Sequence, residues 1–380
     1  MGQSCQDTGR ALKWVLADDE AGPLRATEAA GRVLAQVQPD QPLNIVTIVG
    51  AARKGKSFLM NALTRQDGMF RASAGTPPCT AGADLSQTLM SLSDFKNGRG
   101  STIHESTLNP TIAFVDMEGQ GDKSTEHDVR LATPFLLVSK VVLYNWMSLP
   151  NKNTMLEELE VMVQAADKVT TDNNQGQRHF GHLIILVRDV GGAERAEEVK
   201  RLVLDNEEAG PGRTRLAQRR AQDERNIIRD GLREGFASIT VHAMPRPHPQ
   251  CGDRVVDMSD VEREFIASVD ELRDTIVKHL STHHEFAGKT IAGGKHTHEI
   301  VDGLCVAVNS AQDVSPPSVL EAIYTRQAGK AGADALVAFD DEVESVFGGD
   351  LVLSTLDTKT AIDKAKDPVM EEFDRATKVI

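Results

Sequence analysis

Eight consecutive residues, Gly50-Ala51-Ala52-Arg53-Lys54-Gly55-Lys56-Ser57, fit the spacing G-x-x-x-x-G-K-[S/T]. That spacing can cradle the phosphates of a nucleotide. The apolar run at 43–49 reads as a buried strand, and residues 57–63 read as the first turns of a helix. A strand that feeds a glycine-bounded turn into a helix start leaves several backbone N–H groups unpaired and aimed at one spot. Lys56 supplies a point charge for the β- and γ-phosphates, and Ser57 a hydroxyl for Mg²⁺.

A phosphate loop alone does not separate a GTPase from an ATPase or a small-molecule kinase. The run Thr111-Ile112-Ala113-Phe114-Val115 leads into Asp116-Met117-Glu118-Gly119, a D-x-x-G pattern one strand later. Asp116, at the end of a buried strand, can hold a Mg²⁺-bound water, and Gly119 lets a backbone N–H approach the γ-phosphate closely. Between the two motifs lies Thr76-Pro77-Pro78-Cys79-Thr80. A threonine there can complete the Mg²⁺ shell while the γ-phosphate is bound and release it afterwards. Thr80 is the expected residue and Thr76 the reserve. A third run, 182–187, ends in Arg188-Asp189. Guanine presents N1–H and N2–H₂ as adjacent donors, which one carboxylate accepts together; adenine does not. The chain lacks N-K-x-D, and Asp189 supplies a carboxylate by another route.

The elements that must carry these residues alternate. Strands are expected at 11–16, 43–49, 111–115, 140–145, 182–187 and 238–243, with helices at 27–36, 57–63, 129–136 and 154–169 and a charged helical stretch at 193–235. This order predicts a doubly wound, mostly parallel sheet covered on both faces. Residues 64–84, rich in Gly, Pro, Ser and Thr, read as an irregular loop. After Pro316-Pro317 the pattern becomes all-helical, with Leu336, Phe339, Val343 and Phe347 spaced along one apolar stripe. Ile380 ends a helix-like stretch abruptly, which leaves truncation open.

The 380 residues suffice for one large α/β domain and a smaller unit. The net charge of −14 argues against nucleic acid as a partner. The four cysteines lie far apart, as suits a reducing cytosol, and no apolar run reaches the ~20 residues of a membrane span. Gly2 and Cys5 sit where acyl chains attach, but Gln6 replaces the expected Ser or Thr, so an unmodified start is favoured. His279, His283, His284, His296 and His298 have no cysteine at ligand spacing, so metal binding there is not expected. The arginines from Arg213 to Arg229 alternate with acids and read as a solvated helix face.

Taken together, Gly50-x-x-Arg53-x-Gly55-Lys56-Ser57-Phe58-Leu59-Met60-Asn61, then Asp116-x-Glu118-Gly119, then Val187-Arg188-Asp189, resemble the guanylate-binding protein and atlastin branch of the dynamin superfamily. Trp14-Val15-Leu16 and Lys289-Thr290-Ile291-Ala292-Gly293-Gly294 extend the likeness, and Ala243-Met244-Pro245-Arg246-Pro247 resembles the stretch beside the base. The resemblance implies a P-loop GTPase domain over residues 1–310 and a helical domain, or its first helices, over 311–380. It implies GTP and GDP as ligands, Mg²⁺ as cofactor, and G domains that pair head to head into a nucleotide-dependent homodimer or oligomer. The site it implies has Arg53, Lys56, Thr80 and Glu118 as catalytic residues, with Arg53 an internal arginine finger. Arg53, Lys54, Gly55, Lys56, Ser57, Phe58, Gly119, Arg188 and Asp189 would bind nucleotide, and Ser57, Thr80 and Asp116 the metal. The expected location is the cytoplasm, with recruitment to membranes left open.

One departure matters. Guanylate-binding proteins carry a serine two residues before the switch threonine to help position the attacking water, and Pro78 stands there instead. Two alternatives therefore stay open: a GTP-regulated scaffold with little or no hydrolysis, and the G domain of an atlastin-like membrane tether. The subfamily and the product, GDP or GMP, also stay open.

Overall fold

Long runs of β-branched and aliphatic residues, interrupted by glycine turns, build the centre of the molecule. The computed structural model describes residues 11–17, 20, 22–72, 82–97, 109–147, 151–170, 179–190, 193–208, 216–249, 260–310, 313–347 and 355–377. Five strands run parallel: β3 (Leu43–Val49), β6 (Thr111–Met117), β7 (Val141–Met147), β8 (Phe180–Arg188) and β9 (Phe236–Met244), in the spatial order β6-β3-β7-β8-β9. Every residue of β3 and β6 is buried. A strand covered on both faces is apolar throughout instead of alternating, which is why these runs stood out in the sequence.

The sheet continues past β6 with short antiparallel strands. β4 (Ala83–Ser86) pairs with β6 and with β1 (Ala11–Leu16), β2 (Arg25–Ala26) pairs with β1, and β5 (Met90–Ser91) also joins β6. β4 corrects the expectation of an irregular loop reaching residue 84. Its sequence, Ala-Asp-Leu-Ser, is too short and polar to announce a strand, and Asp84 is accommodated by an ion pair to Lys13 at 2.6 Å.

Alternation along the central strands assigns the two faces. Val46 and Ile48, Ile112 and Phe114, and Ile184 and Leu186 share one cluster with α2 (Lys56–Thr64), α3 (Leu92–Asn97) and α8 (Arg263–Leu280). Helices α1 (Glu28–Leu34), α4 (Thr125–Val138), α5 (Lys152–Asp167), α7 (Leu216–Gly235) and α9 (Gly294–Asn309) form a second packed group, with α6 (Ala193–Leu204) against β9. Tyr144 reaches that group through a 2.8 Å hydrogen bond to Glu158 on α5. A small hairpin, β10 (Glu285–Phe286) and β11 (Lys289–Thr290), precedes α9. α8 was not anticipated, although Phe265, Val269, Leu272, Ile276 and Leu280 recur at helical spacing and are all buried. The architecture is an α/β fold, a mostly parallel sheet with helices on both faces, followed by helices.

Contacts divide the chain into residues 1–316 and 317–380. The second unit holds α10 (Pro316–Phe347) and α11 (Thr355–Thr377). Along α10 the expected apolar stripe is not covered throughout, since Leu336 is 67% exposed.

Of the α7 arginines, Arg219 and Arg220 lie on the exposed face, whereas Arg225 and Arg229 turn to a buried partner. Arg225 grips Glu207 through both oxygens at 2.7 and 2.6 Å, while Arg229, 1% exposed in its side chain, and Lys152 each reach it at 3.0 Å. Hydrogen bonds from Arg225, more than the opposing cost of burial, hold the Glu207 carboxyl down at about 2. A depressed carboxyl stabilises the fold above its unfolded value near 4.5, and that contribution disappears as pH falls towards about 2. Glu207→Gln is expected to cost on the order of 2–4 kcal/mol at neutral pH, since it also strands buried Arg229. Urea unfolding followed from pH 7 to 2 checks this: the variant loses the acid-sensitive part of the curve, and an unchanged acid limb refutes the assignment.

Candidate functional site

The loop between β3 and α2 owes its path to three glycine-lined contacts. Gly50 has φ 130°, and a Cβ there would lie 2.5 Å from the Asn145 carbonyl oxygen on β7. Gly55 has φ 72° and stands at the N-cap of α2 without a side-chain cap. Gly119 faces the loop from the other side, where a Cβ would meet Ala52 Cα at 2.1 Å. So Gly119 is needed chiefly because the loop backbone presses on it. Two backbone bonds seal that contact, Ala52 N–H to Gln120 O and Gln120 N–H to Gly50 O, both 3.1 Å. Arg53 adopts φ 60°, a left-handed conformation costing a non-glycine residue about 1 kcal/mol. Strain of this kind collects at functional sites.

Lys56 begins α2 and is 6% exposed. Its ammonium donates to the carbonyls of Gly50 at 3.1 Å and Ala51 at 3.0 Å. Burial lowers its pKa, opposed by the charges of Asp116, Asp122, Glu118 and Asp128. A desolvated cation beside the amide end of a helix is a strong receptor for an anion. Arg53 is half exposed, and its Nη2 pairs with Asp122 at 3.3 Å. Lys54 and Gly55 are exposed, and the Phe58 ring lies 6.1 Å from that of Phe265, leaving its backbone to the first turn of α2.

Ser57 and Asp116 meet as expected. The Ser57 hydroxyl lies 2.5 Å from Asp116 Oδ2, and burial pushes the Asp116 carboxyl up to about 6. Both donors are hard oxygens, at a carboxylate that gains from a nearby cation. Among the described residues no group of three His, Cys, Asp or Glu could cage a metal ion alone. The pair therefore fits Mg²⁺, which takes one or two protein oxygens and completes its shell with phosphate and water. Thr80 and Thr76 lie outside the described residues.

Glu118 is engaged on several sides. It accepts the Gly82 N–H at 3.0 Å, pairs with Lys123 at 3.1 Å and lies 3.4 Å from His127 Nε2. Burial alone would raise its pKa, but the bonds from His127, Gly82 and Lys123 outweigh it and hold the carboxyl below the usual range. Its neighbour Asp128 caps the turn after the motif, accepting the Gly121 N–H at 3.0 Å.

Arg188 and Asp189 part company. Asp189 turns out of β8 with φ 64°, its side chain 16% exposed and 3.6 Å from Arg246 Nε. Arg188 turns inward, is 2% exposed, and donates to the carbonyls of Lys54 and Gly55. Sequence reasoning missed Asn145, Lys123 and His127 altogether. Asn145 was detectable only as a polar residue inside an apolar strand, and the other two carry no spacing signal.

The chain resembles curated proteins over part of their length. It is 26% identical to guanylate-binding protein 2 of Homo sapiens over 164 residues, 42% of this chain and 25% of that protein. It is 27% identical to guanylate-binding protein 7 of Mus musculus over 157 residues, 40% of this chain and 22% of that one. The matches thus span about a quarter of the relatives' length. A solved structure, the G domain of the T. maritima FeoB iron transporter, is similar at 15% identity and a TM-score of 0.28, over 63% of this chain and 99% of that one. The family described as guanylate-binding protein, N-terminal domain, matches residues 24–285. That is more than half of the chain, which therefore belongs to the guanylate-binding protein family.

Proposed function

We propose that this chain binds GTP with Mg²⁺ and hydrolyses it, residues 1–310 forming the G domain and 311–380 a helical domain or its first helices. The observation that carries this reading is the convergence of Lys56, the amide end of α2 and the Ser57–Asp116 oxygens at one end of the parallel sheet, with Asp189 directly after β8. The names of the relatives, which bind guanylates, support the choice of base. So does the placement of Asp189, whose side chain keeps 16% exposure where that of Arg188 is buried.

In this reading the helix amides and Lys56 hold the phosphates, and Asp189 accepts the two guanine donors. Ser57, Asp116 and Thr80 would hold Mg²⁺, which when bound supplies charge neutralisation between the β- and γ-phosphates. Arg53 leaves Asp122 when two G domains pair across their nucleotide faces, and neutralises charge developing on the γ-phosphate. The exchange is inexpensive, because a half-exposed ion pair is worth at most about 1 kcal/mol.

A second reading has its own support. Glu118 is committed to Gly82, Lys123 and His127, and Pro78 replaces the serine expected to help position water. Both favour a GTP-regulated scaffold with slow turnover. The location remains a proposal too: no helix among the described residues is long and apolar enough to cross a membrane, and cytoplasmic residence with peripheral membrane contact is the reading that accords with the family.

Asp189→Asn is expected to weaken GTP on the order of 10- to 100-fold, as two bonds to a charged acceptor are lost, and to relax discrimination against xanthine nucleotides. Calorimetry with the three bases checks it, and an undiminished guanine preference places base reading elsewhere. Ser57→Ala should remove most of the gain in GTP affinity that Mg²⁺ gives over a chelator, while leaving chelator-condition binding intact. Single-turnover hydrolysis measured against protein concentration separates the two readings. A rate that climbs with concentration in the wild type, and falls ~10³-fold or more in Arg53→Ala at equal affinity, supports the finger. A flat, background rate at every concentration leaves the scaffold.

A further inference from the structure

Arg188 and Asn145 touch the phosphate loop from beneath. Arg188 is the last residue of β8, and its Nη1 donates to the carbonyl of Lys54 at 3.2 Å and of Gly55 at 3.0 Å. Asn145, fully buried on β7, donates from Nδ2 to the same Lys54 carbonyl at 2.9 Å, and its Oδ1 lies 3.5 Å from Arg188 Nη1. The Lys54 carbonyl is thus held by one guanidinium and one amide, and the Gly55 carbonyl by the same guanidinium and by the Leu59 N–H of α2 at 3.1 Å. Peptide bonds here are trans, so each carbonyl points opposite to the following N–H. Holding the Lys54 carbonyl toward the two strand ends turns the Gly55 N–H away from them, and the Arg188 bond adds to the helix's own hold on the Gly55 carbonyl and hence on the Lys56 N–H.

We propose that Arg188 and Asn145 are positioning residues that aim the Gly55 and Lys56 amides at the β-phosphate. This rests on the reading of the loop as a nucleotide site. The amides of Ser57 and Phe58 lie within α2, whose own hydrogen bonding orients them, so contacts to the α-phosphate do not depend on the pair. Arg188 also adjoins Asp189 in sequence, so the strand end that reads the base holds the phosphate cradle in register with it. Gly55 completes the arrangement: a Cβ there would sit 2.9 Å from Arg188 Nη1. Phe265, whose ring centroid is 6.0 Å from the Arg188 guanidinium carbon, flanks it.

A guanidinium that merely fills space would lower stability without altering selectivity among phosphates. The decisive comparison is GDP against GMP, with Mg²⁺, on the full chain, its Arg188→Lys variant and its Asn145→Ala variant. Arg188→Lys is expected to weaken GDP on the order of 10- to 100-fold, because a guanidinium nitrogen shared between two carbonyls gives way to a shorter, more strongly hydrated ammonium. Asn145→Ala is expected to weaken it about tenfold, through the one bond to Lys54. GMP affinity should stay within about twofold in both, and the preference of guanosine over adenosine diphosphate should be preserved. Should Arg188→Lys fail to fold, Asn145→Ala carries the same comparison. Equal losses for GDP and GMP, or unchanged affinities beside a lowered melting temperature, overturn the assignment. Absence of any guanine nucleotide binding by the wild type overturns the underlying nucleotide reading instead, a result distinct from either.

Discussion

A buried ammonium facing backbone carbonyls is the interaction on which the site depends. Lys56 has surrendered its water to the carbonyls of Gly50 and Ala51, and burial lowers its pKa. Such a charge is tolerable only while the loop keeps its shape, since an ion out of water needs its remaining donors satisfied. The loop keeps its shape because two strand ends and one turn close on it: β7 at Gly50, β8 beneath Gly55, and the Gly119 turn at Ala52. The parallel order β6-β3-β7-β8 is what brings those ends to one side of the sheet. In open α/β sheets that carboxyl edge is where ligands bind.

A net charge of −14 repels a triphosphate at long range. The carboxylates near the loop are bound up, however: Asp116 with the Ser57 hydroxyl, Glu118 with Lys123 and His127, Asp122 with Arg53, and Asp128 with the Gly121 amide. Local dipoles and fixed donors, acting where water is excluded, outweigh distant surface charge that salt screens within about 10 Å. Overall acidity therefore does not oppose a nucleotide at this loop.

Much of this was legible in the sequence, for a physical reason. Strands 43–49, 111–117, 141–147 and 180–188 are buried on both faces, so their composition carries the signal without help from neighbours. Gly50, Gly55, Lys56 and Ser57 are fixed by backbone geometry and a local ligand shape, both of which act over a few residues. The missed pieces depend on distant partners. Strand β4 exists because β1 and β6 flank it, and Asp84 is tolerable there because Lys13 arrives from β1. Arg229 looks like any helix-surface arginine until Glu207, 22 residues earlier, folds back upon it. Arg188 and Asp189 are adjacent in sequence yet point into different environments, which no local pattern distinguishes.

Glu118 ties the turn that carries Gly119 to Gly82, the residue before β4. Its N–H donates to the Gly82 carbonyl at 2.7 Å while its carboxylate accepts the Gly82 N–H, a reciprocal clamp on one residue. Gly82 is itself held, with φ 77° and room for no side chain, since a Cβ would lie 2.1 Å from the Val15 carbonyl oxygen. The same Glu118 is anchored through Lys123 and His127 to the start of α4, where Ser124 caps the helix. Gly82 is thus a fixed point tied to the turn that carries Gly119 against the phosphate loop. Moving Gly82 would break both halves of the clamp and leave a buried carboxylate short of a donor.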